Sequence, residues 1–122
     1  MSTLQQLEAR LQSLEDIEAI RRLKYHYCYA CDEGDFDRLA ACFAKDCRVE
    51  LGQGRVAEGR EQVVAMFRKI APLREFSSHM VHNPLIQVRG DAATGTWYLH
   101  LPSTRSGTAM WSQARYDEEY VR

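Results

Sequence analysis

The sequence lacks the features that mark membrane, secreted or nucleic-acid-binding proteins. Its unbroken apolar runs, such as Val63 to Phe67, are far too short to span a bilayer. The N-terminus has neither the basic nor the apolar region of a signal peptide. The 16 basic residues are scattered among 17 acidic ones, so no basic stripe could neutralise a run of phosphates. We therefore expect a cytoplasmic protein that binds neither membranes nor nucleic acid.

The sequence has four cysteines but no secretory signal, so their thiols are expected to be reduced. They are Cys28, Cys31, Cys42 and Cys47. The Cys28-x-x-Cys31 pair could form a four-thiolate zinc site with the other two, but we favour small buried side chains and predict no metal site. A redox pair is disfavoured because the predicted helix ends nearby, where the helix dipole opposes a thiolate.

The length and composition are those of one globular domain. A chain of 122 residues with 45% hydrophobic and 27% charged residues can bury about two thirds of the surface that it exposes when unfolded. We therefore predict a single domain over residues 1–122.

The N-terminal part of the sequence predicts one long helix. Apolar side chains recur at steps of three and four along a helix from about Thr3 to Glu33. The pattern Ser13-x-x-Asp16 resembles a capping box, so the helix could restart or bend there. A narrow leucine seam occupies the first turns, which one helix cannot bury, and we expect a homodimer or homotrimer. The seam consists of Leu4, Leu7, Leu11 and Leu14.

Further along the chain, the periodicity changes from helical to alternating. The predicted elements are a helix at 36–43, a strand at 47–51, a helix at 60–70, and strands at 76–89, 92–101 and 108–121. The strand at 76–89 is interrupted near Pro84. Three helices followed by antiparallel hairpins predict an α+β fold in which a curved sheet wraps the helices.

Asp32 and His79 are candidates for an interacting pair. Asp32 falls in the last turn of the long helix, where the dipole disfavours a carboxylate by about 0.3–1 kcal/mol, so a specific contact should offset this cost. A solvated turn residue is the alternative. Alternation along the strand places three side chains on one face, namely His79, Val81 and Asn83. His82 points to the other face, so the His-x-x-His pair is a poor metal site.

Three tyrosines, Tyr25, Tyr27 and Tyr29, lie near the same helix end. Tyr27 is on the apolar stripe and should point inward, where its hydroxyl needs a partner. At about 100° per residue, Tyr25 aligns with Asp32, whereas Tyr27 lies roughly 140° away from it. We therefore expect either that the helix unwinds before Asp32 or that the pocket is wide.

Six parts of the sequence form a pattern by their order and spacing. They are residues 16–20, 32–39, Gly59 before the third helix, 79–84, 93–99 and 115–122. Together they resemble the SnoaL-like branch of the nuclear transport factor 2-like superfamily. The resemblance implies a cone-shaped α+β barrel, in which three N-terminal helices pack within a curved antiparallel or mixed sheet around an apolar pocket. Because similar proteins continue past the position of Arg122, it also implies that a C-terminal strand is missing.

Within this superfamily the chain is most similar to bile acid 7α-dehydratases and, more distantly, to scytalone dehydratase. The resemblance places their pocket tyrosine, aspartate and histidine at Tyr27, Asp32 and His79. It places Leu101 where the bile acid enzymes have a second acidic residue. Ser103 falls where scytalone dehydratase has a second histidine. Half of the catalytic set of these enzymes is therefore present.

These observations predict a small cofactor-independent lyase or isomerase for an apolar cyclic hydroxy-carbonyl compound, such as a steroid or polyketide. His79 is the expected general base, because an unperturbed imidazole has a pKa near 6.5. Asp32 would orient it, and Tyr27 would donate a hydrogen bond to the developing oxyanion. The expected substrate contacts are Tyr25, Val81, Asn83, Trp97, Leu99 and Leu101. No cofactor or metal is expected.

Two other functions are open. The same cavity could hold a hydrophobic small molecule without catalysis, because fold alone does not determine function. The chain could also be a structural subunit, as the β subunits of ring-hydroxylating dioxygenases share this fold. Leu101 in place of the second acid favours binding, whereas Tyr27, Asp32 and His79 favour catalysis.

Overall fold

The long helix α1 extends over Thr3–Glu33 in the computed structural model, which describes residues 2–122. Ser2 is its N-cap and forms a reciprocal capping box with Gln5. The capping box expected at Ser13 is wrong, since α1 is continuous there and the Ser13 hydroxyl donates to the carbonyl one turn earlier. Gly34, with φ of 68°, takes the left-handed conformation that ends the helix.

Two shorter helices and a two-stranded sheet follow α1. They are α2 (Phe36–Ala41), β1 (Arg48–Glu50), β2 (Val56–Glu58) and α3 (Arg60–Ile70). Asp35 caps α2 by accepting the backbone N–H of Arg38, whereas α2 ends at Ala41, two residues before the predicted end. Strand β2 was not predicted, because three residues are too few to show an alternating pattern. A 3-10 turn, Ala71–Leu73, leads from α3 into the main sheet.

The main sheet has four strands, and every neighbouring pair is antiparallel. They are β3 (Phe76–Ser77), β4 (Met80–Arg89), β5 (Ala92–Arg105) and β6 (Thr108–Val121). Strand β6 pairs along the whole of β5, while β3 and β4 share the other edge of β5. The predicted α+β fold with a curved sheet is confirmed. The interruption predicted near Pro84 is also present, but the strand predicted over 76–89 is in addition divided before Met80.

A β-bulge interrupts the alternation of β4. The register shifts between His82 and Leu85, so that Asn83 and Pro84 together oppose Trp97. Asn83 has a φ of 53°, which asparagine tolerates better than most residues, and its side chain is exposed. The prediction that Asn83 shares the inner face is therefore wrong, because the extra residue reverses which side chains point inward.

The core packs the second half of α1 against α2, α3 and the sheet. Its buried cluster consists of Tyr27, Cys28, Ala30 and Leu39. All four cysteines are free thiols, and burial raises the pKa of Cys28 to about 11 and that of Cys31 to about 12. Two protonated thiols of this kind contribute packing rather than reactivity.

Residues 2–122 lack two features that mark other classes of protein. None of the helices in this range is long and apolar enough to cross a membrane. No group of three or more histidine, cysteine or acidic side chains in the same range is arranged to hold a metal ion.

The leucine seam of α1 is exposed in the structure. Leu4, Leu7, Leu11 and Leu14 keep between 53% and 65% of their surface accessible. The homodimer or homotrimer stays a prediction.

Replacing Leu7 and Leu11 by glutamine should convert the oligomer to monomer, because burial of this apolar seam would no longer favour association. Sedimentation equilibrium over a range of concentrations measures this. A monomer at every concentration of the unaltered protein would contradict the prediction.

Candidate active site

Asp32 and His79 form a hydrogen-bonded pair where the end of α1 meets the start of β4. Nδ1 of His79 lies 2.6 Å from Oδ1 of Asp32, which confirms the predicted contact. A carboxylate can only accept, so this contact places the imidazole proton on Nδ1. Nε2 of the neutral ring then keeps its lone pair and can act as a base.

The carboxylate of Asp32 accepts further hydrogen bonds. The backbone N–H of His79 lies 3.0 and 2.9 Å from its two oxygens, and the hydroxyl of Ser77 donates to Oδ1 over 3.0 Å. These donors supply the contact that a carboxylate at a helix C-terminus needs. Ser77 was missed in the sequence, although it precedes His79 by two residues and therefore has the same strand parity.

His79 is a largely buried base, and its burial favours the neutral ring. Its side chain is 6% exposed and that of Asp32 is 21% exposed. Burial lowers the pKa of His79 below its ordinary value, although the hydrogen bond and charge of Asp32 raise it; the Arg74 charge lowers it further. At neutral pH the ring is therefore unprotonated and able to accept a proton.

Tyr27 and Asp32 point in different directions from α1, yet His79 contacts both of them. The ring of Tyr27 lies edge-to-face with His79, with 6.4 Å between ring centroids. The helix does not unwind before Asp32, so that alternative is wrong. The imidazole instead spans the two helix positions, contacting Asp32 through Nδ1 and Tyr27 through its ring. Burial raises the pKa of Tyr27 well above its ordinary value, so its phenol stays protonated.

A cleft of about 200 Å³ opens beside the pair. Its apolar walls include Phe36, Leu39, Phe67 and Ile70, and its polar lining includes Asp32, Glu33, Arg74, Glu75, Ser77 and His79. The ends of α1 and α3, the start of α2, and β3 thus meet at one opening. Arg74 and Glu75 were missed because nothing in the local pattern marks them.

The structure separates the predicted substrate contacts from this cleft. None of the six expected substrate contacts is in its lining within the described residues, and neither is Tyr27, the expected donor to the oxyanion. Val81 packs on the core cluster, and Leu99 is partly buried on the inner face of β5. Leu101 is buried, as is Trp97, whose indole N–H is used internally. Tyr25 is 44% exposed and stacks edge-on against Trp97.

A second buried polar cluster lies two turns earlier on α1. Lys24 is 3% exposed, and its Nζ lies 2.7 Å from Oε2 of Glu118 and 3.2 Å from the ring centroid of Tyr116. The Tyr120 hydroxyl donates to Oε1 of Glu118 over 2.7 Å and accepts the indole N–H of Trp97 over 3.0 Å. Burial lowers the pKa of Lys24, while the charge of Glu118 opposes that shift.

Sequence reasoning also missed this cluster, although one signal was present. Lys24 occupies a position on the apolar stripe, four residues after Ile20 and three before Tyr27. A charged residue on a buried face requires a partner. The partner, Glu118, is 94 residues away, so no local pattern identifies it.

Replacing Glu118 by glutamine should destabilise the protein by about 2 kcal/mol, because the buried Lys24 ammonium loses its counter-ion. Adding Lys24→Met should restore much of that loss, because no unpaired charge then remains. Urea unfolding measures the free energy of unfolding of both variants, and the dependence of that energy on urea concentration should be the same as in the unaltered protein. Glu119→Gln, at the exposed neighbouring position, is the control. Equal stability of the unaltered protein and the Glu118 variant would show that the ion pair contributes nothing.

Residues 12–122 match the protein family described as the SnoaL-like domain. The chain belongs to the SnoaL-like domain family. This confirms the resemblance seen in the sequence. The match includes Asp32, His79 and the Lys24 cluster, but only Leu14 of the exposed leucine seam.

Solved structures of other proteins have the same fold as this SnoaL-like domain. A nuclear transport factor 2-like protein with a cystatin-like fold from Novosphingobium aromaticivorans is 28% identical, covers 100% of this chain and 82% of its own, and has a TM-score of 0.81. A candidate scytalone dehydratase from the same species is 23% identical over 89% and 75% of the two chains, with a TM-score of 0.82. A hexachlorocyclohexane dehydrochlorinase from Novosphingobium barchaimii is 20% identical over 93% and 80%, with a TM-score of 0.86.

Proposed function

We propose that this SnoaL-like domain is a cofactor-independent lyase, and specifically a dehydratase of cyclic hydroxy-carbonyl compounds. The observation that carries the proposal is the Asp32–His79 pair, whose neutral imidazole borders an apolar-walled cleft. The names of two structural neighbours describe eliminations, one of water and one of hydrogen chloride. An elimination from a carbon acid needs a base that removes the proton and an acid that protonates the leaving group. A single histidine can act as both in turn.

The reaction would use His79 twice. Nε2 takes the proton from the carbon next to the carbonyl, and the electron pair of that C–H bond forms the new double bond as the carbon–oxygen bond breaks. Asp32 holds the ring and stabilises the imidazolium. The imidazolium then returns its proton to the departing hydroxyl, which leaves as water. A double role for His79 fits the buried, apolar Leu101 at the position of the second acid.

The volume of the cleft limits the size of the substrate. An engineered apolar cavity of about 150 Å³ holds one benzene molecule, so a cleft of about 200 Å³ accommodates one ring against the dyad. We propose a monocyclic substrate rather than the steroid that the resemblance suggested. A larger molecule would have to leave its other rings outside the cleft.

Replacing His79 by asparagine should lower kcat by about 10²–10⁴-fold, because the general base is lost. Turnover is measured on a panel of monocyclic hydroxy-carbonyl compounds with hydroxy steroids included. His82→Asn is the matched control, since His82 lies only three residues further along the chain, in β4, and is exposed. Unchanged turnover in the His79 variant, or an equal loss in the His82 variant, would contradict the assignment of the base.

The pH dependence follows from the lowered pKa of His79. The base must be neutral, so kcat/KM should be constant at neutral pH and fall only as the pH drops through a midpoint below 6.5. Asp32→Asn removes the two influences that raise this pKa, so its residual activity should decline at a still lower pH. A midpoint above the ordinary histidine value in the unaltered protein would show that the charge of Asp32 outweighs burial.

Ligand binding without catalysis is the second candidate. Leu101, 3% exposed, provides an apolar side chain where similar dehydratases have an acid. Binding of monocyclic compounds with no turnover by the unaltered protein would favour this function.

A further inference from the structure

Arg74 is a cation in the wall of the dyad's cleft. It follows the 3-10 turn Ala71–Leu73 directly, and its backbone N–H closes that turn by donating to the carbonyl of Ala71. Its side chain is partly buried. Within residues 2–122 its guanidinium has neither a hydrogen-bond acceptor nor an ion-pair partner, although it lines the same cleft as Asp32 and His79.

The carboxylates of the cleft already have partners. Asp32 is held by His79 and Ser77. Glu33 pairs with Arg38 over 3.4 Å, and the Glu75 carboxylate accepts the backbone N–H of Gly107 over 2.9 Å.

A second arginine near the cleft is also engaged, since Arg68 lies 4.5 Å from the ring centroid of Phe36. Arg74 is therefore the cation in the cleft lining whose side chain has no partner among residues 2–122. A guanidinium presents a planar fork of donors that matches the two oxygens of a carboxylate.

We propose that Arg74 binds a carboxylate of the substrate, so that the substrate class is a monocyclic hydroxy-carbonyl compound that also carries a carboxylate. The reaction of such a substrate rests on the proposed dehydratase function, whereas the binding of its carboxylate by Arg74 does not. The apolar walls, including Phe36 and Phe67, would take the ring. Arg74 would fix one end of that ring while His79 meets the acidic C–H. Arg74 thus determines specificity and positions the substrate; it takes no proton.

A matched pair of probes tests the charge requirement, namely 4-hydroxybenzoate and 4-hydroxybenzamide. They have nearly the same size and differ in the carboxylate. The unaltered protein should bind the benzoate about tenfold more tightly in calorimetry, because hydrogen bonds between charged groups are stronger than neutral ones. Arg74→Gln should bind the two probes equally, with the affinity for the amide unchanged. Arg74→Lys should keep part of the preference.

Arg105→Gln is the control for loss of a positive charge. Arg105 is exposed at the end of β5 and does not line the cleft, so this variant should keep the preference for benzoate. His79→Asn should also keep it, since Arg74 is intact. Absence of turnover on every substrate together with this preference would refute the dehydratase function and leave the carboxylate site in place.

The pKa of His79 gives a second measurement. Since the charge of Arg74 lowers this pKa, Arg74→Gln should raise it in an NMR titration, whereas Arg105→Gln should leave it unchanged. Equal affinity of the unaltered protein for both probes, no binding of either at millimolar concentration, or an equal effect of the Arg105 variant would overturn the proposal.

Discussion

The carboxylate of Asp32 is the group on which the geometry of the site depends. It lies in the last turn of α1 and accepts the backbone N–H and Nδ1–H of His79 together with the hydroxyl of Ser77. Because the His79 N–H is donated to this carboxylate, it does not pair with β5, and β3 and β4 are separate strands although Ser78 between them still donates to Pro102. One side chain thus relieves the unfavourable end of a helix, divides a strand and orients the base.

Two polar groupings tie α1 to the sheet on either side of Tyr27. Asp32 and His79 hold the end of the helix against the start of β4, and Lys24 with Glu118 holds an earlier turn against β6. Each buries charge, so each requires its partner in place. The aromatic rings around Tyr27 fill the space between them. The pair is therefore held between α1 and the main sheet by polar and aromatic contacts on both sides.

The chemical character of His79 results from two opposing influences. Burial favours the neutral ring and so lowers its pKa, whereas Asp32 favours the charged ring. The balance leaves a neutral base that a carboxylate can stabilise once it is protonated. A base of this kind suits proton abstraction from carbon, in which the histidine must gain charge and later lose it.

The sequence by itself determined the elements whose signals are local. The bounds of α1, α3 and β6 follow from periodicity and end signals, and the pairing of Asp32 with His79 follows from helix position, strand parity and family resemblance. The interruption near Pro84 was also predicted, but tertiary structure alone decided its form as a bulge that exposes Asn83. It alone also decided the Lys24 partner and the cleft lined by Arg74. These depend on strand register and on contacts between distant parts of the chain. A single inserted residue reverses which side chains face inward, and nearest-neighbour patterns carry no record of it.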